Sequence, residues 1–189
     1  MAGDAKGMMQ QDPRQILNDA DLIFSAQQVT AAISQVAAEV TQALSNTTPL
    51  VLSVMGGAVV FSGQLLPLLN FPLEFDFVQA SRYHDQNQAT DLEWRVLPTR
   101  KVQGKTVLVL DDILDEGITL AAVRDKCLEL GAVRVLVAVL SEKDTGRPKP
   151  IKADFTGLML PDRYVFGCGM DVHGWWRNLP AIYALKDQH

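Results

Sequence analysis

Short blocks of apolar residues recur along the chain and have the length of strands. The blocks at residues 50–55, 107–110 and 133–140 are almost continuously apolar, which is typical of strands covered on both faces. Residues 73–80 alternate and are rich in aromatic side chains, and residues 93–97 have the composition of a further strand. The pattern therefore predicts at least five strands, three of them fully buried.

Helical spacing of apolar residues is found between these blocks. Residues 17–44 predict one or two helices, residues 58–69 a second helical segment, and residues 120–130 a helix that ends at Gly131. Alternation of strands and helices predicts an α/β fold with a central, mostly parallel sheet flanked by helices. The remaining irregular segments, mainly residues 149 onward, predict a small C-terminal/N-terminal hood over the carboxyl ends of the strands.

Length and composition favour a single domain over residues 1–189. With 189 residues, 48% of them hydrophobic, the chain can bury one large core, and the polar residues 1–12 are expected to form a flexible N-terminal tail. A net charge of −5 gives no general attraction to nucleic acids. Two cysteines are too few for a disulfide framework, and no stretch has the length of a membrane span, so a cytoplasmic protein is expected.

The most informative stretch is VLVLDDILDEGITL, residues 107–120. Two carboxylates, Asp111 and Asp112, follow the buried strand, and residues 115–119 form a turn that leads into a helix. Amides at a helix start are unpaired and lie at the positive end of the helix dipole, so this turn can hold a phosphate together with the Thr119 hydroxyl. The carboxylates are then free to contact sugar hydroxyls or a magnesium-bound ligand.

This order of residues resembles the phosphoribosyl-pyrophosphate signature of the type I phosphoribosyltransferases. The resemblance implies that Asp111 and Asp112 bind the ribose hydroxyls and contact Mg²⁺, and that Asp115 is the catalytic base that accepts the N7 proton of a purine. It also implies a 5′-phosphate site formed by consecutive residues, namely Asp115, Glu116, Gly117, Ile118 and Thr119.

Two further segments match the family in order along the chain. The turn after the first buried strand implies a pyrophosphate site at Met55 and Gly56, completed by Arg177, although Met55 replaces a charged residue that is common there. Residues 81–91 are polar and without a period, and Ser81, Arg82 and Tyr83 lie where the family has a closing lid.

The C-terminal part is similar to the purine-binding part of the hypoxanthine-guanine members. By this resemblance Lys152 binds the 6-oxo group, because lysine donates hydrogen bonds and accepts none. Tyr164 stacks on the purine, main-chain groups of Val165 and Asp171 read its 2-position, and Asp171 is a further Mg²⁺ contact.

The expected function is Mg²⁺-dependent salvage of hypoxanthine or guanine with 5-phosphoribosyl 1-pyrophosphate, giving IMP or GMP and pyrophosphate. Two alternatives remain open: a xanthine-preferring enzyme, and a regulatory protein of the same fold that binds nucleotides without catalysis. The expected partners are these small molecules and further copies of the chain, as a dimer or tetramer, with no nucleic acid and no membrane.

Overall fold

The computed structural model describes residues 12–82 and 92–186. Its helices are α1 (Pro13–Asp19), α2 (Ala26–Leu44), α3 (Val59–Leu65) and α4 (Ile118–Glu129), with a short 3₁₀ turn at Leu66–Leu68. Its strands are β1 (Asp21–Phe24), β2 (Leu50–Val54), β3 (Glu74–Arg82), β4 (Leu92–Val96), β5 (Thr106–Leu114), β6 (Arg134–Lys143), β7 (Phe155–Leu160), β8 (Val165–Phe166) and β9 (Ile182–Ala184). Except for Asp12, the predicted N-terminal tail lies outside the described residues.

Six strands form the main sheet in the order β4-β3-β2-β5-β6-β7. Strand β4 runs antiparallel to β3, and the other neighbours are parallel. The predicted α/β architecture with a mainly parallel sheet is therefore confirmed. Because parallel strands end at the same edge, the residues that follow β2, β5 and β6 are brought together at one side of the molecule.

Helices cover both faces of the main sheet. The apolar stripe of α2, including Val29, Val36 and Val40, packs with α3 against one face, and Leu120 and Val123 of α4 pack against the other. Helix α2 begins with a capping box, in which Ser25 accepts from the Gln28 amide and the Gln28 side chain accepts from the Ser25 amide. All five residues of β2 are buried, as its continuous apolar composition predicts.

A second, three-stranded antiparallel sheet in the order β1-β9-β8 forms the hood. Residues 17–44 are predicted to be only helical, but strand β1 lies between α1 and α2. The local pattern does not indicate this strand, because its partner β9 lies more than 150 positions away in the sequence. The predicted start of the hood at Lys149 is also wrong, since β7 belongs to the main sheet. The hood begins after Leu160 and is completed by the N-terminal strand.

Two predicted boundaries differ from the structure near the expected site. Strand β5 continues to Leu114, so Asp111 and Asp112 lie within the strand and pair alongside β6. Strand β3 extends through Ser81 and Arg82, which pair with β4, whereas Tyr83 and the rest of the predicted lid loop lie outside the described residues. Among the described helices, none combines the length and apolar character needed to span a bilayer.

Candidate active site

A cleft with a volume of about 260 Å³ lies between the carboxyl ends of β5 and β6 and the hood. The sheet contributes acidic and basic side chains to its wall, and the hood contributes an aromatic ring and an ion pair. The lining residues are Asp112, Ile113, Asp115, Lys143, Tyr164, Val165, Met170, Asp171 and Arg177. Six of these nine are among the predicted site residues, although they come from segments far apart in the sequence.

Asp111 and Asp112 form a buried carboxylate pair. They are 8% and 7% exposed, and the Asp112 amide donates to Asp111 Oδ1 over 3.0 Å. Burial raises the pKa of Asp111 well above its ordinary value, and the neighbouring Asp112 charge adds to this effect. Burial also raises the pKa of Asp112, although the Arg177 charge opposes that shift. Both shifts disfavour the doubly charged form of the pair.

Two glycines allow the backbone to pass close to Asp112. A Cβ atom at Gly57 would overlap the Asp112 carboxylate, and one at Gly169 would overlap the carbonyl oxygen of Gly57. The turn after β2 and the hood segment around Gly169 thus meet directly over the acid pair. By contrast, a Cβ at Gly56 would meet no atom within 4 Å, so the backbone there faces open space. The Met55–Gly56 peptide bond is cis.

The turn between β5 and α4 contains the amides of a helix start. Gly117 adopts a φ of 79° and is the N-cap of α4, and it makes no side-chain capping hydrogen bond. Its left-handed conformation and its contacts with Leu114 and Ile151 explain why glycine is present. Glycine has no side chain with which to cap a helix, so the N-cap residue does not compete with an anion for the amides of the first turn. Thr119, partly exposed, lies in that first turn.

Asp115 is paired with a lysine that sequence reasoning missed. Lys143 Nζ lies 2.8 Å from Asp115 Oδ2, and the Lys143 side chain is only 12% exposed. The two residues meet because Lys143 ends β6 as Asp115 follows β5, and adjacent parallel strands end at the same edge; the apolar run at residues 133–140 gave only the neighbourhood of Lys143, not its partner. The pair places a cationic donor and a carboxylate side by side in the cleft.

The opposite wall is a small network in the hood. Tyr164 donates from its hydroxyl to the Asp171 carbonyl over 3.2 Å, yet its side chain remains 52% exposed. Asp171 Oδ1 lies 2.5 Å from Arg177, whose guanidinium also donates to the Gly169 carbonyl, and Asp171 Oδ2 accepts from the Gly174 amide. Burial, followed by the Asp171 charge, raises the pKa of Tyr164, so its hydroxyl stays protonated.

Lys152 lies outside this cleft. It is exposed and lines a second cavity of about 250 Å³ together with Arg147, Lys149 and Met159. Lys143 lines both cavities. The structure thus brings Lys143, and not Lys152, to the cleft that contains Asp115 and Tyr164.

Among the described residues, no three histidine, cysteine or acidic side chains cluster into a preformed metal cage. The carboxylates of Asp112 and Asp171 nevertheless line the same cleft. Both cysteines are buried, and burial raises the pKa of Cys127 and of Cys168 to about 11, so neither is a thiolate at neutral pH.

Comparisons with known proteins agree with this geometry. The model of the phosphoribosyl transferase domain matches residues 19–173. A hypoxanthine-guanine phosphoribosyltransferase of Streptococcus pneumoniae is 30% identical over 168 residues, which are 88% of this chain and 93% of the relative. A hypoxanthine-guanine-xanthine phosphoribosyltransferase of Tritrichomonas foetus is 30% identical over 167 residues, covering 88% of this chain and 91% of the relative.

The solved structure of a hypoxanthine phosphoribosyltransferase from Staphylococcus aureus has the same fold. It superposes with a TM-score of 0.85 at 24% identity and covers 91% of this chain and 95% of the other. The family model spans the main sheet, the acid pair and the start of the hood. This chain therefore belongs to the phosphoribosyl transferase family, alongside relatives named for hypoxanthine and guanine.

Proposed function

We propose that the protein transfers the phosphoribosyl group of 5-phosphoribosyl 1-pyrophosphate to hypoxanthine or guanine. In this reaction the purine N9 attacks C1′ of the sugar, the bond from C1′ to the pyrophosphate oxygen breaks, and pyrophosphate leaves with the bonding electrons. The observation that carries the proposal is the cleft in which Asp115 and Lys143 lie beside an uncapped helix start and face Tyr164.

The 5′-phosphate is assigned to the turn that starts α4. The amides of residues 115–119, from Asp115 through Glu116, Gly117 and Ile118 to Thr119, together with the Thr119 hydroxyl, supply donors at the positive end of the helix. Acidic side chains in this turn do not oppose phosphate binding if the anion contacts the main-chain amides and the Thr119 hydroxyl while the carboxylates point elsewhere. In support, the Asp115 carboxylate is turned toward Lys143.

The sugar and the leaving group are assigned to the acid pair, of which Asp112 lines the cleft, and to the turn after β2. Asp111 and Asp112 contact the ribose hydroxyls and favour positive charge at the sugar carbon as the leaving group departs. Pyrophosphate approaches the backbone at Met55 and Gly56, where the structure is open, and the Arg177 guanidinium offsets its charge. The proposed lid begins with Ser81 and Arg82 at the end of β3 and continues with Tyr83.

The purine is assigned to the space between the sheet and the hood. The Tyr164 ring is exposed enough to stack on a base. Lys143, rather than Lys152, binds the 6-oxo group, because its largely buried ammonium lies in the cleft and can only donate. Asp115 accepts the N7 proton, and main-chain groups of Val165 and Asp171 read the 2-position.

Magnesium fits the chemistry of the acids in this cleft. Mg²⁺ prefers oxygen ligands, keeps several waters and is commonly held by one or two carboxylates together with substrate phosphates, so a site without a protein cage is suitable. Asp111, Asp112 and Asp171 would hold it, directly or through water. When bound, the cation supplies charge neutralisation for the leaving pyrophosphate.

A second copy of the chain is the proposed macromolecular partner, as a dimer or tetramer. Apolar side chains remain exposed on α3 and on the adjoining face of β3, where Val59 is 48% and Phe75 and Phe77 are each 38% exposed. Size-exclusion chromatography coupled to light scattering measures the molar mass in solution, and the mass of a monomer would contradict this part of the proposal.

The reaction is tested by mixing the protein with 5-phosphoribosyl 1-pyrophosphate, Mg²⁺ and hypoxanthine and measuring pyrophosphate release. Release that depends on the base supports the proposal. Binding of IMP without turnover would instead identify a nucleotide-binding regulator of the same fold. Competition among hypoxanthine, guanine and xanthine in the same assay establishes which base is preferred, and faster turnover of xanthine would favour the xanthine enzyme.

A further inference from the structure

Lys149 is a largely buried cation close to the cleft, and the proposed function does not use it. Its side chain is 11% exposed, and its ammonium group donates to three acceptors. These are the Lys143 carbonyl at 2.6 Å, the Glu142 carboxylate at 3.0 Å and the Leu114 carbonyl at 3.2 Å. All three ammonium hydrogens are therefore directed at the ends of two neighbouring strands.

The three acceptors of Lys149 lie where the pairing of β5 with β6 ends. Leu114 is the last residue of β5 and Lys143 the last of β6, and the parallel pairing of the two strands ends with Leu114 opposite Glu142. Beyond this point, main-chain hydrogen bonds no longer set the distance between the segments that follow β5 and β6. Lys149 bridges the two strands at the point where their main-chain pairing ends.

The two bridged carbonyls adjoin the two groups that face the substrate. The Leu114 carbonyl belongs to the peptide that leads into Asp115, and the other carbonyl belongs to Lys143 itself. Asp115 and Lys143 in turn lie 2.8 Å apart. We infer that Lys149 is a positioning residue, which holds the backbone of Asp115 and of Lys143 in the relative placement that purine transfer requires.

The inference rests on the proposed function, since it assigns Asp115 and Lys143 to the purine. Small displacements of reacting groups lower rates strongly, so Lys149→Met should reduce kcat/KM for hypoxanthine by about 10- to 100-fold. Methionine keeps the apolar stem and removes the bridge. Glu142, whose side chain is 26% exposed, can then be solvated, so the fold is expected to survive.

Lys105 provides a matched control. It is also a partly buried lysine, with its side chain 23% exposed and paired to Glu74, but it precedes β5 at the opposite edge of the sheet. Lys105→Met should therefore leave kcat and KM close to wild type. Thermal unfolding of both variants shows whether a lost ion pair alone changes the amount of folded protein.

A double-mutant cycle separates positioning from a merely structural role. If Lys149 acts through Lys143, the combined variant Lys149→Met/Lys143→Met should lose less than the product of the two single losses. Multiplicative losses, or wild-type kinetics in Lys149→Met, would overturn the inference. If Lys149→Met does not fold, Lys149→Gln, which can keep one of the three hydrogen bonds, is judged by the same criteria.

The proposed function and the inference fail in different ways. Absence of turnover in the wild-type protein contradicts the function. In a wild type that binds IMP without turnover, the comparison is made on the dissociation constant for IMP, which Lys149→Met should raise about tenfold and Lys105→Met should not. Equal IMP affinity in wild type and Lys149→Met would then overturn the positioning role.

Discussion

At the scale of single residues, the acid pair depends on close packing by glycines. Gly57 faces the Asp112 carboxylate so closely that any side chain there displaces one of the two. Gly63 differs, because it lies in α3 where a Cβ atom would meet nothing within 4 Å. The two glycines therefore differ in role, although both are found in the same short segment of the chain.

Gly57→Ala should lower the free energy of unfolding by about 1–3 kcal/mol, the usual effect of forcing atoms into a packed site. It should also weaken turnover, because Asp112 must move. The matched variant Gly63→Ala should raise stability by roughly 0.5–1 kcal/mol, since alanine is favoured over glycine within a helix. Urea unfolding measures both variants, and a Gly57→Ala protein as stable as wild type would contradict the packing.

Asp115 is the side chain on which the proposed chemistry depends most. Asp115→Asn keeps the main-chain amides that are assigned to the phosphate but cannot accept a proton, so kcat should fall by about 10²- to 10⁴-fold. Binding of IMP should change much less than kcat. Steady-state kinetics and calorimetry make the comparison, with the exposed Asp125→Asn as control. Undiminished turnover would remove Asp115 from the mechanism.

At the scale of elements, Asp76 joins β3 to the segment that precedes β5. It is 6% exposed and accepts hydrogen bonds from the amides of Phe77, Thr99 and Arg100 and from the Thr99 hydroxyl. Burial alone raises its pKa, but these hydrogen bonds outweigh burial and leave the pKa of Asp76 below its ordinary value. The charged form is therefore favoured by folding.

Stability from Asp76 should be present at neutral pH and lost in acid. Because the folded-state pKa is the lower one, the contribution is complete above the unfolded pKa of about 3.9 and disappears as pH falls through the folded value. Asp76→Asn should lower the free energy of unfolding at pH 7 by roughly 1.5–3 kcal/mol. The difference from wild type should shrink below about pH 4; urea titrations showing a constant difference would contradict this assignment.

At the scale of the whole molecule, the cleft is formed only where the hood meets the main sheet. Two contacts hold the C-terminal part of the hood against the N-terminal segment. Trp176 Nε1 donates to the Pro13 carbonyl over 2.7 Å, and Arg163 Nη2 lies 2.7 Å from Asp21 Oδ2. A nucleotide that contacts both Tyr164 of the hood and Asp115 of the sheet side should therefore stabilise the entire fold.

IMP at about 100 times its dissociation constant should add about 2.7 kcal/mol of stability. For a chain of this size, that corresponds to a rise in Tm of roughly 5–10 °C. AMP has the same sugar and phosphate but a 6-amino group in place of the oxo acceptor, so its shift at equal concentration should be smaller. Differential scanning fluorimetry compares them, and equal shifts would contradict 6-oxo recognition by Lys143.

Local sequence patterns are sufficient to predict the strands that are buried on both faces. The continuous apolar runs of β2, β5 and β6 and the turn at residues 115–119 follow from neighbouring residues alone, since burial and helix capping are decided within a few positions. The family resemblance begins with this same stretch. These features were enough to predict the fold class and the acidic wall of the cleft at Asp112 and Asp115, whereas its C-terminal residues were predicted from the resemblance of a later segment.

Long-range pairing decided the remaining features. Strand β1 exists because β9 supplies its hydrogen bonds, and Lys143 faces Asp115 because two parallel strands end together. Lys152 instead lines the second cavity. Such neighbours are separated by tens of residues, so no local period or motif reports them. Only the assembled sheet and the hood that packs on it bring their side chains within hydrogen-bonding distance.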